Sequence, residues 1–288
     1  MNKELFKETL VDELTKKGLP VKLNTTHKVN NIDIDCITLD ITDKIIPTVK
    51  IDLLYEEYKE GKSLIEIINE AYDLLKTKPS FGMDAATNPS KIIPQLINRD
   101  INAELLNSVP HRNINEDMAL IYRALVKEDD DFSASYVINN SNVMPLDMTE
   151  EELYNRAMSE LEAKIYRMED IIANITFGIS LEPLNIDELE DSDNLMLVLG
   201  GKSSTYNAAS ILKPDVQAKL SRVYPNGYYV LPSSIHELII VSKTNDYEDL
   251  DSLFQMVKEI NESDVIEDDI FLANGVYEVK EGRLVKVA

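Results

Sequence analysis

The chain of 288 residues has one cysteine, three histidines and no tryptophan. The single cysteine, Cys36, excludes an internal disulfide and a metal cluster built of thiolates. It lies in a segment of alternating polar and apolar residues, which favours a small buried side chain over a nucleophile. The histidines lack the His-Glu-x-x-His spacing of zinc proteases. We therefore expect neither a metal nor a cofactor.

Basic residues are also scarce, because 29 Lys and Arg stand against 52 Asp and Glu, a formal net charge of -23. This charge repels nucleic-acid phosphates and anionic lipid head groups, so we expect no direct binding of nucleic acid and no membrane. The partner that it favours is a basic protein. No apolar run is long enough to span a bilayer, and residues Met1–Glu8 lack a signal-peptide pattern. The chain is expected to be cytoplasmic.

The content of hydrophobic residues, 44%, and of charged residues, 28%, is typical of a globular protein. Helical and strand patterns alternate without strict βαβ order, which predicts an α+β fold with a mixed or mainly antiparallel sheet and packed amphipathic helices. The stretch Thr77–Pro89 contains proline and glycine and is the first plausible linker. We predict an N-terminal part, residues 1–80, and a C-terminal part, residues 81–288. A single continuous domain is the alternative.

Two helix starts are marked by capping boxes, in which a hydroxyl and a carboxylate each satisfy an unpaired backbone amide. The first box is Ser63–Glu66 and the second is Thr149–Glu152. The helix that follows the second box is predicted from apolar residues at helical spacing along one stripe. These residues are Leu153, Ala157, Leu161 and Ile165.

The densest run of β-branched and aromatic residues is Tyr228–Val241. It predicts two strands, Tyr228–Leu231 and His236–Val241, because such side chains fit a pleated surface. Pro232 and the two serines after it predict a hairpin or corner between the strands. Both faces of the second strand are apolar, so we expect a central strand that is covered on both sides.

Four residues at this corner are the catalytic candidates: Ser233, Ser234, His236 and Glu237. A serine hydrolase needs a nucleophile, a base and an acid that converge. Alternate side chains of a short extended segment leave opposite faces, and the chain has no Gly-x-Ser-x-Gly elbow. We favour a structural role, in which the serines close the corner and His236 or Glu237 bonds backbone there.

Two other segments are weaker candidates for binding. Pro110, His111 and Arg112 form a compact basic spot that could bind an anion, although such an arginine more often pairs with a neighbouring acid. Gly200–Ser203 resembles the end of a phosphate-binding loop. The full motif requires a glycine where Met196 stands, so a strand-to-helix turn is the better interpretation.

Several segments together resemble a bacterial family known as a domain of unknown function, five-six-eight-eight in the series. The resemblance spans nearly the whole chain, and its most specific part is the motif LPSSIHE at Leu231–Glu237. It implies a shared fold and a bacterial origin, and it transfers no catalytic residue. Asn207 stands where the resemblance leads us to expect a glycine. The other matching segments are His27–Asn31, Ile46–Thr48, Tyr55–Tyr58, Gly61–Leu64, Asn102–Pro110, Asp117–Tyr122 and Asn207–Ala209.

We predict a cytosolic protein without catalytic activity that binds another protein through an acidic surface, to which the loops Glu128–Asp131 and Asn185–Asp193 contribute. One alternative is a hydrolase that uses His236 with Ser233 or Ser234. Another is an antagonist that mimics DNA, with carboxylates in place of phosphates. A third is a structural component of a mobile-element or phage system, for which the sequence has no direct sign.

Overall fold

A computed structural model describes residues 1–27, 29–41, 48–76, 89–128, 133–141, 143, 146–189, 195–200, 206–244, 250–262 and 270–288. The chain divides into two compact units, Met1–Asn88 and Pro89–Ala288. The predicted boundary after residue 80 lies outside the described residues and stays a prediction. The same holds for Asp129–Asp131, for residues 190–193 of the second acidic loop and for Gly201–Ser203.

The described residues of the first unit form a three-stranded antiparallel sheet and three α-helices. Its elements are α1 (Lys3–Lys16), β1 (Val21–His27), β2 (Asp33–Leu39), β3 (Thr48–Lys50), α2 (Ile51–Lys59) and α3 (Leu64–Lys76). Phe6, Leu10 and Leu14 follow one another at four-residue spacing on α1, and they join the buried core of this unit. Cys36 is buried in β2 as a free thiol.

The second unit contains two sheets in which every strand pair is antiparallel. Its helices are α4 (Ala103–Leu106), α5 (Glu150–Glu160), α6 (Met168–Phe177), α7 (Pro214–Val223) and α8 (Leu250–Asn261). The four-stranded sheet consists of β4 (Lys91–Asn98), β5 (His111–Asn113), β6 (Met118–Glu128) and β7 (Ser133–Val137). β4, β5 and β7 each pair with β6. The six-stranded sheet consists of β8 (Ile165–Arg167), β9 (Leu197–Leu199), β10 (Tyr228–Pro232), β11 (Leu238–Ser242), β12 (Tyr277–Lys280) and β13 (Arg283–Lys286). The predicted α+β fold is confirmed.

The predicted hairpin is present, and its second strand is central. That strand begins at Leu238 and not at the predicted His236, because the corner extends through Glu237. β10 and β11 pair with each other, and β11 also pairs with β9. Leu238 and Ile240 belong to the main core of the unit, whereas Val241 belongs to a second buried cluster with Leu253 and Val257 of α8. Both faces of β11 are therefore covered, as its apolar pattern predicts.

The helix predicted through Ile165 is shorter than expected. α5 begins at the capping box of Thr149 and Glu152, but it ends at Glu160, and Leu161 has extended backbone angles. Ile165 lies in β8 opposite Leu199. All four residues of the predicted stripe are buried in one core, so the spacing correctly indicated burial and wrongly indicated a continuous helix.

Candidate functional site

The corner between β10 and β11 satisfies its own backbone. Ser233 N and Ser234 N both donate to Glu237 O, at 3.3 and 3.1 Å, and Glu237 N donates to Ser234 O at 3.3 Å. Ile235 N donates to Ile270 O at 2.8 Å, which ties the corner to a neighbouring segment. Because the peptide groups bind one another, the corner keeps its shape without help from a ligand.

The two serine hydroxyls are used inside the same corner. Ser234 Oγ accepts a hydrogen bond from His236 N at 3.1 Å, and Ser233 Oγ donates to Glu237 Oε1 at 3.4 Å. Burial raises the pKa of the Glu237 carboxyl, and the Ser233 hydroxyl opposes that shift. Ser234 is itself buried. Each hydroxyl therefore stabilises the local conformation of the corner.

His236 is oriented by the segment that precedes the 3-10 helix Asn207–Leu212. Its Nδ1 accepts a hydrogen bond from Tyr206 N at 3.1 Å, and its carbonyl oxygen accepts one from Ala208 N at 3.0 Å. The rings of His236 and Tyr206 lie 5.0 Å apart. A neutral imidazole whose Nδ1 accepts a bond carries its proton on Nε2. The lone pair that a general base requires is thus occupied by a backbone amide.

The structure does not bring the four catalytic candidates together as a triad. In the described part of the chain, neither serine hydroxyl bonds the imidazole of His236. A nucleophile and its base must come within hydrogen-bond reach, and here each group bonds a different partner. The arrangement can hold a corner in place, and it would have to rearrange before it could transfer a proton between serine and histidine.

Gly200, directly after β9, lies very close to the corner. Gly200 has φ +120, and a Cβ at this position would lie 2.6 Å from His236 O and 2.7 Å from Glu237 Cβ. Gly200 N donates to Lys164 O at 2.8 Å, so the glycine is fixed on its other side as well. Only glycine fits this contact.

The basic spot at Pro110, His111 and Arg112 is engaged by the protein itself. Arg112 donates from Nε and Nη2 to Glu150, at 3.1 and 2.9 Å, and from Nη2 to Glu151 at 2.5 Å. Its guanidinium carbon lies 3.8 Å from the centre of the Tyr154 ring. His111 Nδ1 is 3.1 Å from Val109 O.

Glu150 is the centre of this cluster, because it also accepts a bond from the Tyr122 hydroxyl. Burial alone would raise the pKa of Glu150, but the bonds from Arg112 and Tyr122 outweigh burial and lower it. The carboxylate is thus held in its charged form opposite Arg112. The cluster joins β5 and β6 to the first turn of α5.

Helix α6 is a surface feature that the sequence analysis passed over. None of its residues is buried. We define the α6 surface as four large apolar residues on this helix and just beyond it, each more than half exposed. They are Ile172 at 55%, Ile175 at 73%, Phe177 at 77% and Ile179 at 55%.

The end of α6 is well formed. Gly178 has left-handed backbone angles, φ 67 and ψ 21, and its N–H donates to Asn174 O at 2.9 Å. The side chain of Asn174 donates to Ile179 O at 2.6 Å. These bonds fix Ile179 close to the last turn of the helix.

Acidic residues flank the α6 surface along the chain. Residues 168–194 contain no Lys and no Arg. The acidic residues of this segment are Glu169, Asp170, Glu182, Asp187, Glu188, Glu190, Asp191 and Asp193. A signal was therefore present in the sequence: a segment rich in large apolar residues, inside a stretch whose charged residues are all acidic.

Two features of the described residues bear on the class of protein. They contain no group of three or more His, Cys, Asp or Glu side chains that could hold a metal ion. No helix there is long and apolar enough to cross a membrane. The geometry thus defines an α+β protein of antiparallel sheets, with a self-bonded corner and an exposed apolar helix.

This chain belongs to the family of unknown function DUF5688, whose model matches residues 3–280. The resemblance predicted from the sequence segments is confirmed. No curated protein and no solved structure matches the chain.

Proposed function

We propose that this protein binds another protein, without catalysis, through the α6 surface and its acidic surroundings. The partner presents apolar side chains flanked by Lys or Arg. One observation carries the proposal: an apolar helix with a well-formed end contributes no buried residue to its own domain. Neighbouring helices of the unit behave differently, since α5 buries Leu153 and α7 buries Leu220.

The apolar contribution to binding can be large. Burying one large apolar side chain stabilises a complex by about 1.5 to 3 kcal/mol. All four members of the α6 surface keep more than half of their side-chain area exposed. Clusters of this kind on a folded protein mark sites of interaction.

The charge selects among possible partners. A second copy of this chain would bring another formal charge of -23 to the interface, and an anionic membrane would be repelled in the same way. A basic amphipathic segment meets both features, because its apolar side chains cover the α6 surface and its cations face Glu169, Asp170 and Glu182. We therefore assign the partner to this chemical class.

The corner supports the non-catalytic part of the proposal. The lone pair of His236 Nδ1 is engaged by Tyr206 N, and both serine hydroxyls bond within the corner. A hydrolase would need these groups to face one another across a substrate. The hydrolase and the DNA mimic stay predictions that no contact in the described residues favours.

The test uses two synthetic helical peptides with the same leucine pattern, one with lysines and one with glutamates on the polar face. Their dissociation constants are measured by calorimetry at low and at physiological salt. We expect the lysine peptide to bind the wild-type protein, with a Kd that rises with salt. The glutamate peptide should not bind.

A matched pair of double variants separates the α6 surface from general charge attraction. Ile175→Ser with Phe177→Ser removes two residues of the surface, and we expect at least about tenfold weaker binding of the lysine peptide. The control, Leu53→Ser with Ile65→Ser, removes two comparably exposed side chains from the first unit. The proposal would be refuted if both double variants weakened binding of the lysine peptide equally, or if neither weakened it.

A further inference from the structure

A second feature of the molecule is independent of the α6 surface: the guanidinium of Arg123 in the middle of β6. Arg123 is the one charged residue between Ala119 and Val126. It lies opposite Ile93 of β4 and Val137 of β7, so strands flank it on both sides. A charge in the middle of an apolar central strand is costly unless a partner compensates it.

The partners of Arg123 in the described part of the chain are all uncharged. Nε donates to Ser135 Oγ at 3.0 Å and Nη2 to Ser135 O at 3.3 Å. Nη1 donates to Gln95 Oε1 at 3.4 Å. The guanidinium carbon lies 5.2 Å from the centre of the Tyr206 ring. Burial lowers the pKa of Arg123, against a smaller upward effect of Tyr206.

Carboxylates are abundant in this chain, with 52 Asp and Glu, and most other described arginines reach one. Arg112 bonds Glu150 and Glu151, Arg156 bonds Glu160, and Arg222 bonds Asp187. No described carboxylate lies within ion-pair distance of Arg123. A shortage of acids therefore cannot account for the absence of a carboxylate among the described neighbours of Arg123.

The bonds to Ser135 and Gln95 use only some of the N–H donors of the guanidinium. It carries five N–H groups, and the bonds to Ser135 and Gln95 engage one on each nitrogen. One N–H on each terminal nitrogen has no acceptor among the described residues. A planar pair of such donors matches the two oxygens of a carboxylate or a phosphate. Arg123 is mostly buried but not completely enclosed.

Tyr206 is held over this group in a strained conformation. Its φ of 62 and ψ of 26 place an aromatic residue in the left-handed region, which bulky side chains rarely adopt. The bond from Tyr206 N to His236 Nδ1 fixes that conformation. The Tyr206 ring thereby lies near both the imidazole of His236 and the guanidinium of Arg123. Strain of this kind is concentrated at sites that clamp a ligand.

We propose that Arg123 binds the carboxylate or phosphate group of a small anionic ligand, with Ser135 and Gln95 positioning the guanidinium and Tyr206 packing beside it. The ligand is small because a net charge of -23 opposes a polyanion such as nucleic acid. This site gives a role to His236, the histidine of LPSSIHE, which orients Tyr206. It uses no residue of the α6 surface, and it stands or falls separately from the proposed function.

The test is an NMR titration of the wild-type protein with inorganic phosphate and, in parallel, with acetate, at constant ionic strength set by sodium chloride. The readouts are the Arg123 Nε–Hε resonance and the backbone amides of Ser135 and Tyr206. We expect saturable shifts from at least one anion at concentrations up to about 20 mM, well above a millimolar Kd. Saturation by phosphate alone assigns a phosphate ligand, and saturation by acetate alone assigns a carboxylate. If neither anion saturates these resonances, the proposal is wrong.

Variants show whether the binding depends on Arg123. Arg123→Lys keeps the charge but loses the planar donor pair, so we expect about tenfold weaker binding. Arg123→Gln should abolish the saturable shifts of the Ser135 and Tyr206 amides. Arg283→Gln removes an exposed arginine of β13 and serves as the control with the same change of net charge. If Arg123→Gln does not fold, the comparison of anion affinity between the wild type and Arg123→Lys still tests the proposal. Equal affinity in wild type and Arg123→Lys would overturn the assignment.

Discussion

The contact between Gly200 and the LPSSIHE corner gives the sharpest test of the fold around that motif. In Gly200→Ala, the new Cβ would lie 2.6 Å from His236 O and 2.7 Å from Glu237 Cβ. Both neighbours belong to a corner that is fixed by its own hydrogen bonds. The corner cannot yield by rotating one flexible side chain, because the nearest atom is a backbone oxygen.

The cost has two parts, and a second glycine separates them. Gly200 and Gly178 both have positive φ, at +120 and +67. Alanine in the left-handed region costs about 1 to 2 kcal/mol at Gly178, and it costs at least as much at Gly200, whose φ lies beyond that region. A Cβ at Gly178 would meet no atom within 4 Å. Overpacking adds about 1 to 3 kcal/mol at Gly200 alone. We therefore expect Gly200→Ala to lower the free energy of unfolding by about 2 to 5 kcal/mol, and Gly178→Ala by about 1 to 2 kcal/mol.

The assay is urea unfolding followed by far-ultraviolet circular dichroism, since the chain has no tryptophan for fluorescence. The two variants are compared at equal m-values, so that a difference in midpoint reports stability. Hydrogen exchange at the amides of Ser233 and Ser234 gives a local readout, because these amides close the corner. If Gly200→Ala costs no more than Gly178→Ala, the described contact does not exist and the corner is not braced by β9.

Three further substitutions test the electrostatics and the helix cap by the same urea titration. Burial alone would raise the pKa of Glu278, but the bonds from Lys243 and Lys280 outweigh burial and lower it. Glu278→Gln should therefore lower the free energy of unfolding by about 1 to 3 kcal/mol at pH 7. This loss should vanish as the pH falls from 4.5 through the folded-state pKa. Burial raises the pKa of Glu237, so its contribution is present below pH 4.5 and is lost as the pH rises through the folded-state pKa. Glu237→Gln should gain up to about 1 kcal/mol at pH 7 and nothing at low pH, and the opposite sign would contradict the burial of this carboxyl. Thr149→Ala removes the cap of α5 and should cost about 1 kcal/mol, whereas an unchanged midpoint would show that the cap is not formed.

Local signals with a strong physical cause could be predicted from the sequence. The hairpin of β10 and β11 follows from β-branched residues around a proline, and the start of α5 follows from its capping box. The end of α5 could not be predicted in the same way. Leu161 and Ile165 continue the helical spacing by chance, because β8 delivers Ile165 to the same core from a different direction. Spacing reports which side chains are buried, and tertiary packing decides which element carries them.

The candidate site was only partly accessible to the same reasoning. The sequence predicted that the four residues at the corner would not converge, because alternate side chains leave opposite faces. It could not predict that Tyr206, thirty positions earlier, would donate to His236. The lone arginine in an apolar strand was a visible signal for Arg123, but its neutral partners come from β4 and β7. A missing counter-ion is a property of three-dimensional neighbours, which composition does not reveal.

The two proposed sites draw on electrostatics at different ranges, and this explains how one acidic chain can have both. The net charge of -23 acts on a macromolecule from a distance and is screened within about 10 Å at ordinary salt. In the function that we propose, it would guide a large basic partner toward the protein, and apolar contact at the α6 surface would then hold that partner. At Arg123 the donors act at hydrogen-bond distance in a mostly buried setting, where screening is weak. A small anion loses little to the long-range field because it carries few charges, whereas a polyanion meets the whole field. Under the two proposals together, the same negative charge would attract a basic protein and would disfavour polyanionic ligands at Arg123.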